Sequence, residues 1–147
     1  MDGVTCTNCG YSSVFYCGSL DVVWRSQIPV PIEETFASDE TDVIQKKLEY
    51  QLSKLHPATR KKFTPQLRGR RVLASECNSI LIHCDHCNLL HTTPILLVQF
   101  DDGYLRISAD RCGKCHRRRY EITEENVQDI TCPSCGHKSL EESFVIY

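Results

Sequence analysis

Cys132-Pro133-Ser134-Cys135-Gly136 is the stretch from which the rest of the chain is read. Two thiolates separated by two residues grip one tetrahedral ion from a single tight turn, and the same spacing recurs at Cys6/Cys9, Cys84/Cys87 and Cys112/Cys115. Four pairs supply eight sulfurs, the ligand count of two Cys₄ sites, so the chain is expected to fold around two zinc ions. A redox dithiol reads differently, as one pair opening a helix after a strand, and four recurring pairs lack that setting.

Disulfides would require an oxidising compartment. The start Met1-Asp2-Gly3-Val4 shows no basic segment followed by an apolar run, so the expectation is an intracellular, reducing location, cytoplasm or nucleus. No stretch approaches the ~18 apolar residues of a membrane span. Hydrophobic residues make up 41% of the 147, and the eight paired cysteines are counted among them. The share left for an ordinary core is low, and metal must supply part of the folding energy.

Net charge is −2, which argues against a wholly basic nucleic-acid coat protein, but the charges are segregated. Glu33, Glu34, Asp39, Glu40, Asp42 and Glu49 crowd one segment, whereas the run from Lys54 to Arg71 holds seven bases and no acid. A second acid-free run, Arg111 to Arg119, brings twelve of the seventeen Lys and Arg into two short stretches. Such clusters are the footprint of a surface that meets phosphates. The plainer reading is a solvated helix face plus cations that offset the formal −2 charge of a Zn(Cys)₄ centre, a role open to Arg111, Lys114 and Arg117. Three consecutive arginines exceed that need. In an extended segment Arg118 faces with Tyr120 and Ile122, leaving Arg117 and Arg119 together on the other side as the phosphate-contacting pair.

Short strands are expected at Tyr11 to Phe15 and Leu20 to Arg25, with Cys17-Gly18-Ser19 as a turn. Ile28-Pro29-Val30-Pro31 reads as a linker, because neither proline donates a ladder hydrogen bond. Ile44, Leu48, Leu52 and Leu55 recur at helical spacing, with Ser38, Asp39 or Thr41 as cap and Pro57 as stop. Pro57 opens a second short helix that Thr64-Pro65 ends, and Gly69 among Arg68, Arg70 and Arg71 suggests a mobile basic loop. Beyond it, Ile80 to Ile82, Ile95 to Phe100, Tyr104 to Ile107, Arg118 to Ile122 and Ser143 to Tyr147 read as strands, with Asp102-Gly103 marking a hairpin. Ile95-Leu96-Leu97-Val98 lacks alternation and is expected to be covered on both faces, at the centre of the core.

The turns Cys6-Thr7-Asn8-Cys9-Gly10 and Cys132-Pro133-Ser134-Cys135-Gly136 resemble the zinc knuckles of the zinc-ribbon superfamily, where Gly after the second Cys lets backbone N–H groups aim at sulfur. The other two pairs depart from that form, being followed by Asn88 and His116, although Asn also tolerates the left-handed conformation. The resemblance covers the pairs and their flanking strands but not residues 26–76. It implies a small, β-rich α+β chain of tandem or interleaved zinc ribbons with a helical insertion. In this organisation residues 1–31 form a knuckle and hairpin, 32–76 a charge-segregated helical insertion with a basic loop, and 77–147 the β-rich ribbon region, or all of them one composite domain.

Four pairs allow three partitions into tetrads. Sixteen residues separate Cys115 from Cys132, a ribbon-like spacing, so Cys6/Cys9/Cys84/Cys87 and Cys112/Cys115/Cys132/Cys135 are the expected centres. The partition joining Cys84/Cys87 to Cys112/Cys115 stays open, since loop-closure entropy separates the two by only about 0.8 kcal/mol. Cys17 and Cys77 are left as buried thiols, and His83, His86, His91, His116 and His137 as neighbours of the metal.

Complete Cys₄ sites are closed, whereas a catalytic zinc keeps a position open to water, and no His-Glu-x-x-His, Gly-x-Ser-x-Gly or phosphate-binding glycine loop occurs. The expectation is a binding module rather than an enzyme, with no membrane partner and no small-molecule substrate in evidence. Arg60, Lys61, Lys62, Arg68, Arg70, Arg71, Arg117, Arg118 and Arg119 are the candidate contacts to an RNA or DNA backbone, in a transcription or RNA-handling assembly. The rival expectation is a protein-interaction adaptor whose zinc is purely structural.

Overall fold

A computed structural model of the chain describes residues 3–36 and 40–143, without the side chains of Glu40 and Thr41. Among the described residues ten strands and two α-helices make a small, β-rich α+β fold. Strands β1 (Gly3–Cys6), β2 (Ser12–Val14) and β10 (Leu140–Ser143) form an antiparallel sheet in the order β10-β1-β2. Strands β3 (Gly18–Ser19), β6 (Val72–Cys84), β7 (Leu89–Phe100) and β8 (Gly103–Ser108) form a second, in that order, with β9 (Tyr120–Glu121) also pairing with β6. Strands β4 (Val22–Arg25) and β5 (Ile28–Pro31) make a separate hairpin. Helix α1 spans Glu40–Ser53 and α2 spans Pro57–Leu67.

Contacts divide the chain into two compact units that are discontinuous in sequence. The first comprises residues 1–18, 79–93 and 110–147. Its buried cluster is Val4, Cys6, Leu81, Ile122, Val127, Cys132 and Leu140, with Tyr11, Phe15 and Ile130 packed against it. The second comprises residues 19–78 and 94–109. There Leu48 and Leu55 meet Cys77, Leu96, Val98, Phe100 and Ile107, with Phe63 and Leu67 of α2 against them. β7 lies between β6 and β8, and Ile95, Leu96 and Val98 are buried while Leu97 is half-buried, as its unbroken apolar run predicts.

A buried polar network pins α1 to β6 within the second unit. Gln51, fully buried, donates to Asp21 Oδ1 at 2.8 Å and to the Ser75 carbonyl at 3.2 Å, and accepts from the Ser75 hydroxyl. Asp21 Oδ2 in turn accepts the Cys77 N–H at 3.0 Å. Every polar atom so engaged is satisfied, which is the condition for tolerating it in a core. Burial, with the Asp21 charge beside it, pushes the Cys77 thiol up to about 12.

Several local expectations are corrected. Ile28-Pro29-Val30-Pro31 is not a linker but β5, paired with β4 in the register Val22↔Pro31, Val23↔Val30, Trp24↔Pro29 and Arg25↔Ile28. The loop is the two residues Ser26 and Gln27, both with positive φ, so Arg25/Ile28 is the hydrogen-bonded closing pair. Both prolines then fall at non-hydrogen-bonded positions, where no donor is needed. Gly18 and Ser19 are strand rather than turn.

Helix α2 runs through Thr64-Pro65 to Leu67. Proline removes one ladder bond near its C-terminal end, while Phe63 and Leu67 keep that turn on the core. Ile44 of α1 is 42% exposed and so stands outside the core, whereas Leu55, beyond the helix end, is buried. Ser38 and Asp39, two of the expected caps, lie outside the described residues, as do residues 144–147 of the last expected strand. The described final strand ends at Ser143. The Asp-Gly hairpin closes one residue earlier than expected, with Asp101 and Asp102 as loop and Gly103 paired with Phe100.

Candidate metal centres and basic surface

All four Cys-x-x-Cys turns share one backbone device. The residue after the second cysteine is left-handed in each: Gly10 (φ 78°), Asn88 (φ 51°), His116 (φ 61°) and Gly136 (φ 76°). Three of the turns repeat the same pair of bonds. Gly10, His116 and Gly136 donate their N–H to the first cysteine's carbonyl, at 3.0, 2.9 and 3.0 Å. The first cysteine donates its own N–H to the carbonyl five residues on, at 2.7, 2.8 and 2.8 Å to Tyr11, Arg117 and His137. The departures at Asn88 and His116 therefore keep the left-handed backbone at the cost of a residue that tolerates positive φ less well than glycine.

Strand pairing then selects which turns meet. β1 runs into the Cys6/Cys9 turn and β10 runs out of the Cys132/Cys135 turn, and Cys6↔Leu140 with Thr7 N–H to Ser139 O at 2.9 Å sets them side by side. β6 likewise runs into Cys84/Cys87 and β9 follows Cys112/Cys115, registered by Ile82↔Glu121 and His83↔Tyr120. Two tetrads result, Cys6/Cys9/Cys132/Cys135 and Cys84/Cys87/Cys112/Cys115, each with its sulfurs within 4.8 Å of one another. The sharing expected from spacing, Cys6/Cys9 with Cys84/Cys87 and Cys112/Cys115 with Cys132/Cys135, is overturned. The centres are nested, the second enclosed between the halves of the first.

The donor sets fit a tetrahedral ion. Bonds of about 2.3 Å to sulfur require an S···S edge of about 3.8 Å. Cys6–Cys135 lie at 3.6 Å and Cys9–Cys132 at 3.8 Å, and in the inner tetrad Cys84–Cys115 at 3.5 Å and Cys87–Cys112 at 3.9 Å. Backbone N–H groups also point at sulfur: Tyr11 on Cys9 at 3.4 Å, Cys87 on Cys84 at 3.5 Å and Ser134 on Cys132 at 3.4 Å. All ten cysteines are free thiols.

The thiols are split by their neighbours. Backbone N–H groups of Cys115 and Lys114 bring Cys112 down to about 6, and the N–H of His137, helped by Asn8, brings Cys135 down to about 5. Cys87 is pushed up to about 12 by the Cys115 sulfur, then by desolvation. At Cys9 the Tyr11 amide pulls down, yet desolvation and the sulfurs of Cys6, Cys135 and Cys132 prevail and raise it to about 11. Four thiolates cannot share so small a space without a cation, and a bound dication reverses the penalty. Each tetrad can therefore hold one metal ion, and with all four positions taken by protein it leaves none for a substrate. Cys17, Cys77 and the histidines belong to neither tetrad.

Supporting side chains escaped the sequence reading. Ser139 Oγ lies 3.0 Å from Cys6 Sγ, and Asn8 donates to Cys135 Sγ at 3.5 Å and contacts His137 Nδ1 at 3.1 Å. Asn8 sits inside its knuckle and was the one legible from spacing; Ser139 depends on the β1–β10 register.

The basic candidates divide as well. Lys61, Lys62, Arg68 and Arg71 are exposed in the second unit, and Arg60 is half-buried in α2. Arg70 is held by Asp102 at 2.8 Å with its guanidinium 3.6 Å from the Phe100 ring, which ties the expected mobile loop to the end of β7 and the loop that follows it. In the first unit Arg117 and Arg118 are exposed, but Arg119 is half-buried and gives its main-chain N–H to Asp110. Desolvation, with Arg119 and Lys114 nearby, holds His91 below the usual imidazole range. Arg118 is 5.9 Å from the ring of Tyr120, itself 52% exposed. Among the described residues no helix is long and apolar enough to cross a membrane.

The chain matches no known protein family, curated protein or solved structure. Two cysteine tetrads on antiparallel strands are compatible with zinc ribbons.

Proposed function

We propose that the chain is a two-zinc module of interleaved zinc ribbons that contacts nucleic-acid backbone through its exposed cations. Zinc suits a closed, all-thiolate tetrahedral set, and it gives a redox-inert scaffold. The observation that carries the binding role is the third knuckle. Lys114, Arg117 and Arg118 are exposed there with no acid from Arg111 to Arg119, and Tyr120 offers a ring for stacking beside Arg118. Arg111 is partly used otherwise, donating to the His116 carbonyl at 3.3 Å. Lys61, Lys62, Arg68 and Arg71 are exposed cations of the second unit with the same chemistry.

Fluorescence anisotropy with generic RNA and duplex DNA, read against salt, tests this. Binding is expected at low salt, and Arg117→Ala with Arg118→Ala is expected to lower the slope of log K against log salt on duplex DNA by about 1.8. Absence of binding at low salt favours the second reading, a protein-interaction adaptor. One feature supports that alternative: the β4–β5 hairpin exposes Trp24 (57%) and Ile28 (63%), apolar side chains of the type that anchor interfaces.

A further inference from the structure

Hydrogen bonds inside the first unit join the two tetrads. His83, the residue before Cys84, is 2% exposed, and both its ring nitrogens lie on acceptors: Nδ1 on Asp85 Oδ1 at 3.0 Å and Nε2 on Asn88 Oδ1 at 2.8 Å. Asn88, the residue after Cys87, donates from Nδ2 to the main-chain carbonyl of Cys132 at 3.1 Å. That carbonyl also accepts the Gly136 N–H at 3.0 Å, the bond that closes the Cys132/Cys135 turn. Residues flanking one ligand pair thus hold the backbone of a ligand to the other centre.

The two centres also differ in how far apart along the chain their halves lie. Twenty-four residues separate Cys87 from Cys112, and 122 separate Cys9 from Cys132. Closure probability falling as the 3/2 power of length favours the inner centre by roughly tenfold. Asn88 reaches Cys132 from a left-handed backbone (φ 51°), the conformation found after the second cysteine in every one of the four turns. Cys132 itself is fully buried, in the core cluster of the unit.

We propose that Asn88, oriented by His83, is a positioning residue through which filling of the inner tetrad prepares the outer one, so that metal loads in order: Cys84/Cys87/Cys112/Cys115 first, Cys6/Cys9/Cys132/Cys135 second. The inference rests on the reading that both tetrads bind metal. Asn88 acts on the second ion by holding the Cys132 turn in its ligating shape before that ion arrives, which is preorganisation rather than ligation. His83 has no contact with the outer centre and works through Asn88.

The test uses the full chain, stripped of metal under reducing conditions and given zinc in steps. Native mass spectrometry counts ions, and alkylation with peptide mapping finds which thiols are protected in the one-ion species. The wild-type one-ion species is expected to protect Cys84, Cys87, Cys112 and Cys115. Asn88→Gly, which keeps the positive φ at less backbone cost and removes the carboxamide, is expected to bind the first ion at least as tightly as wild type and to weaken the second about tenfold, so that the one-ion species accumulates. Asn88→Asp, which keeps the His83 partner but turns a carboxylate toward the Cys132 carbonyl, is expected to weaken the second ion at least as much. His83→Ala should resemble Asn88→Gly, and His83→Gln, which retains a donor, should restore ordered loading. Protection of Cys6, Cys9, Cys132 and Cys135 in the wild-type one-ion species overturns the proposal. So does an Asn88→Gly chain whose two affinities fall equally, or whose second affinity stays within twofold of wild type. Uptake of no metal overturns the underlying reading along with it.

Discussion

The two compact units solve the same problem of a short chain with little apolar residue to spare, and they solve it differently. In the first, two of the seven buried cluster residues, Cys6 and Cys132, belong to a tetrad that can hold a metal ion, so the core and the candidate centre share residues. In the second, Leu48, Leu55, Leu96, Val98, Phe100 and Ile107 make an ordinary apolar core around one thiol, Cys77, that belongs to neither tetrad. Stability in the first is therefore expected to depend on metal concentration and on proton competition for sulfur, whereas in the second it is expected to follow from packing and a satisfied polar network.

The largest effect should come from removing metal. Chelation, or Cys132→Ser, is expected to abolish hydrogen-exchange protection in β1 and β10 while α1, β7 and β8 retain theirs, because structural zinc is worth on the order of 10 kcal/mol to a small domain. Equal loss of protection in both units would break the contrast. Next in size is Leu96→Ala, which opens a cavity in the second core and is expected to cost about 2–5 kcal/mol in denaturant unfolding, with metal content unchanged at two ions. A fall in bound metal on that substitution would show the two strategies to be one.

The smallest effect concerns pH. Cys77 ionises near 9.0 unfolded but only at about 12 in the folded chain. Its folded pKa is raised, so its contribution is complete below pH 9 and is lost as pH climbs from there toward 12, at up to about 1.4 kcal/mol per pH unit. Cys77→Val should flatten the stability profile over that window relative to wild type, measured by unfolding at pH 8 to 10.5. Identical slopes would mean the thiol does not titrate on unfolding.

Much of the first unit was legible because a knuckle is local. Four residues carry the ligand pair, and the left-handed position after them is announced by glycine in Gly10 and Gly136. The hairpin β4–β5 was not legible, because its loop is Ser26-Gln27 without a glycine or asparagine and its second strand carries two prolines. Proline is excluded from a ladder only where a donor is needed, and that depends on register, which composition does not reveal. Charge showed the same limit. Arg70 and Arg119 stand in basic runs beside Arg71 and Arg118, yet the fold pairs the side chain of Arg70 with Asp102 and half-buries Arg119, while Arg71 and Arg118 stand exposed.

By itself, the order of residues determined the eight sulfurs, their grouping in turns, the two-ion count they imply and the acid-free runs, since each is decided within a few positions of chain. Which turns share a centre was decided only in three dimensions. Chain entropy is nearly indifferent between the two partitions, by about 0.8 kcal/mol. The antiparallel pairings of β1 with β10 and of β6 with β9 are not, because each sets the strand entering one turn beside the strand leaving its partner.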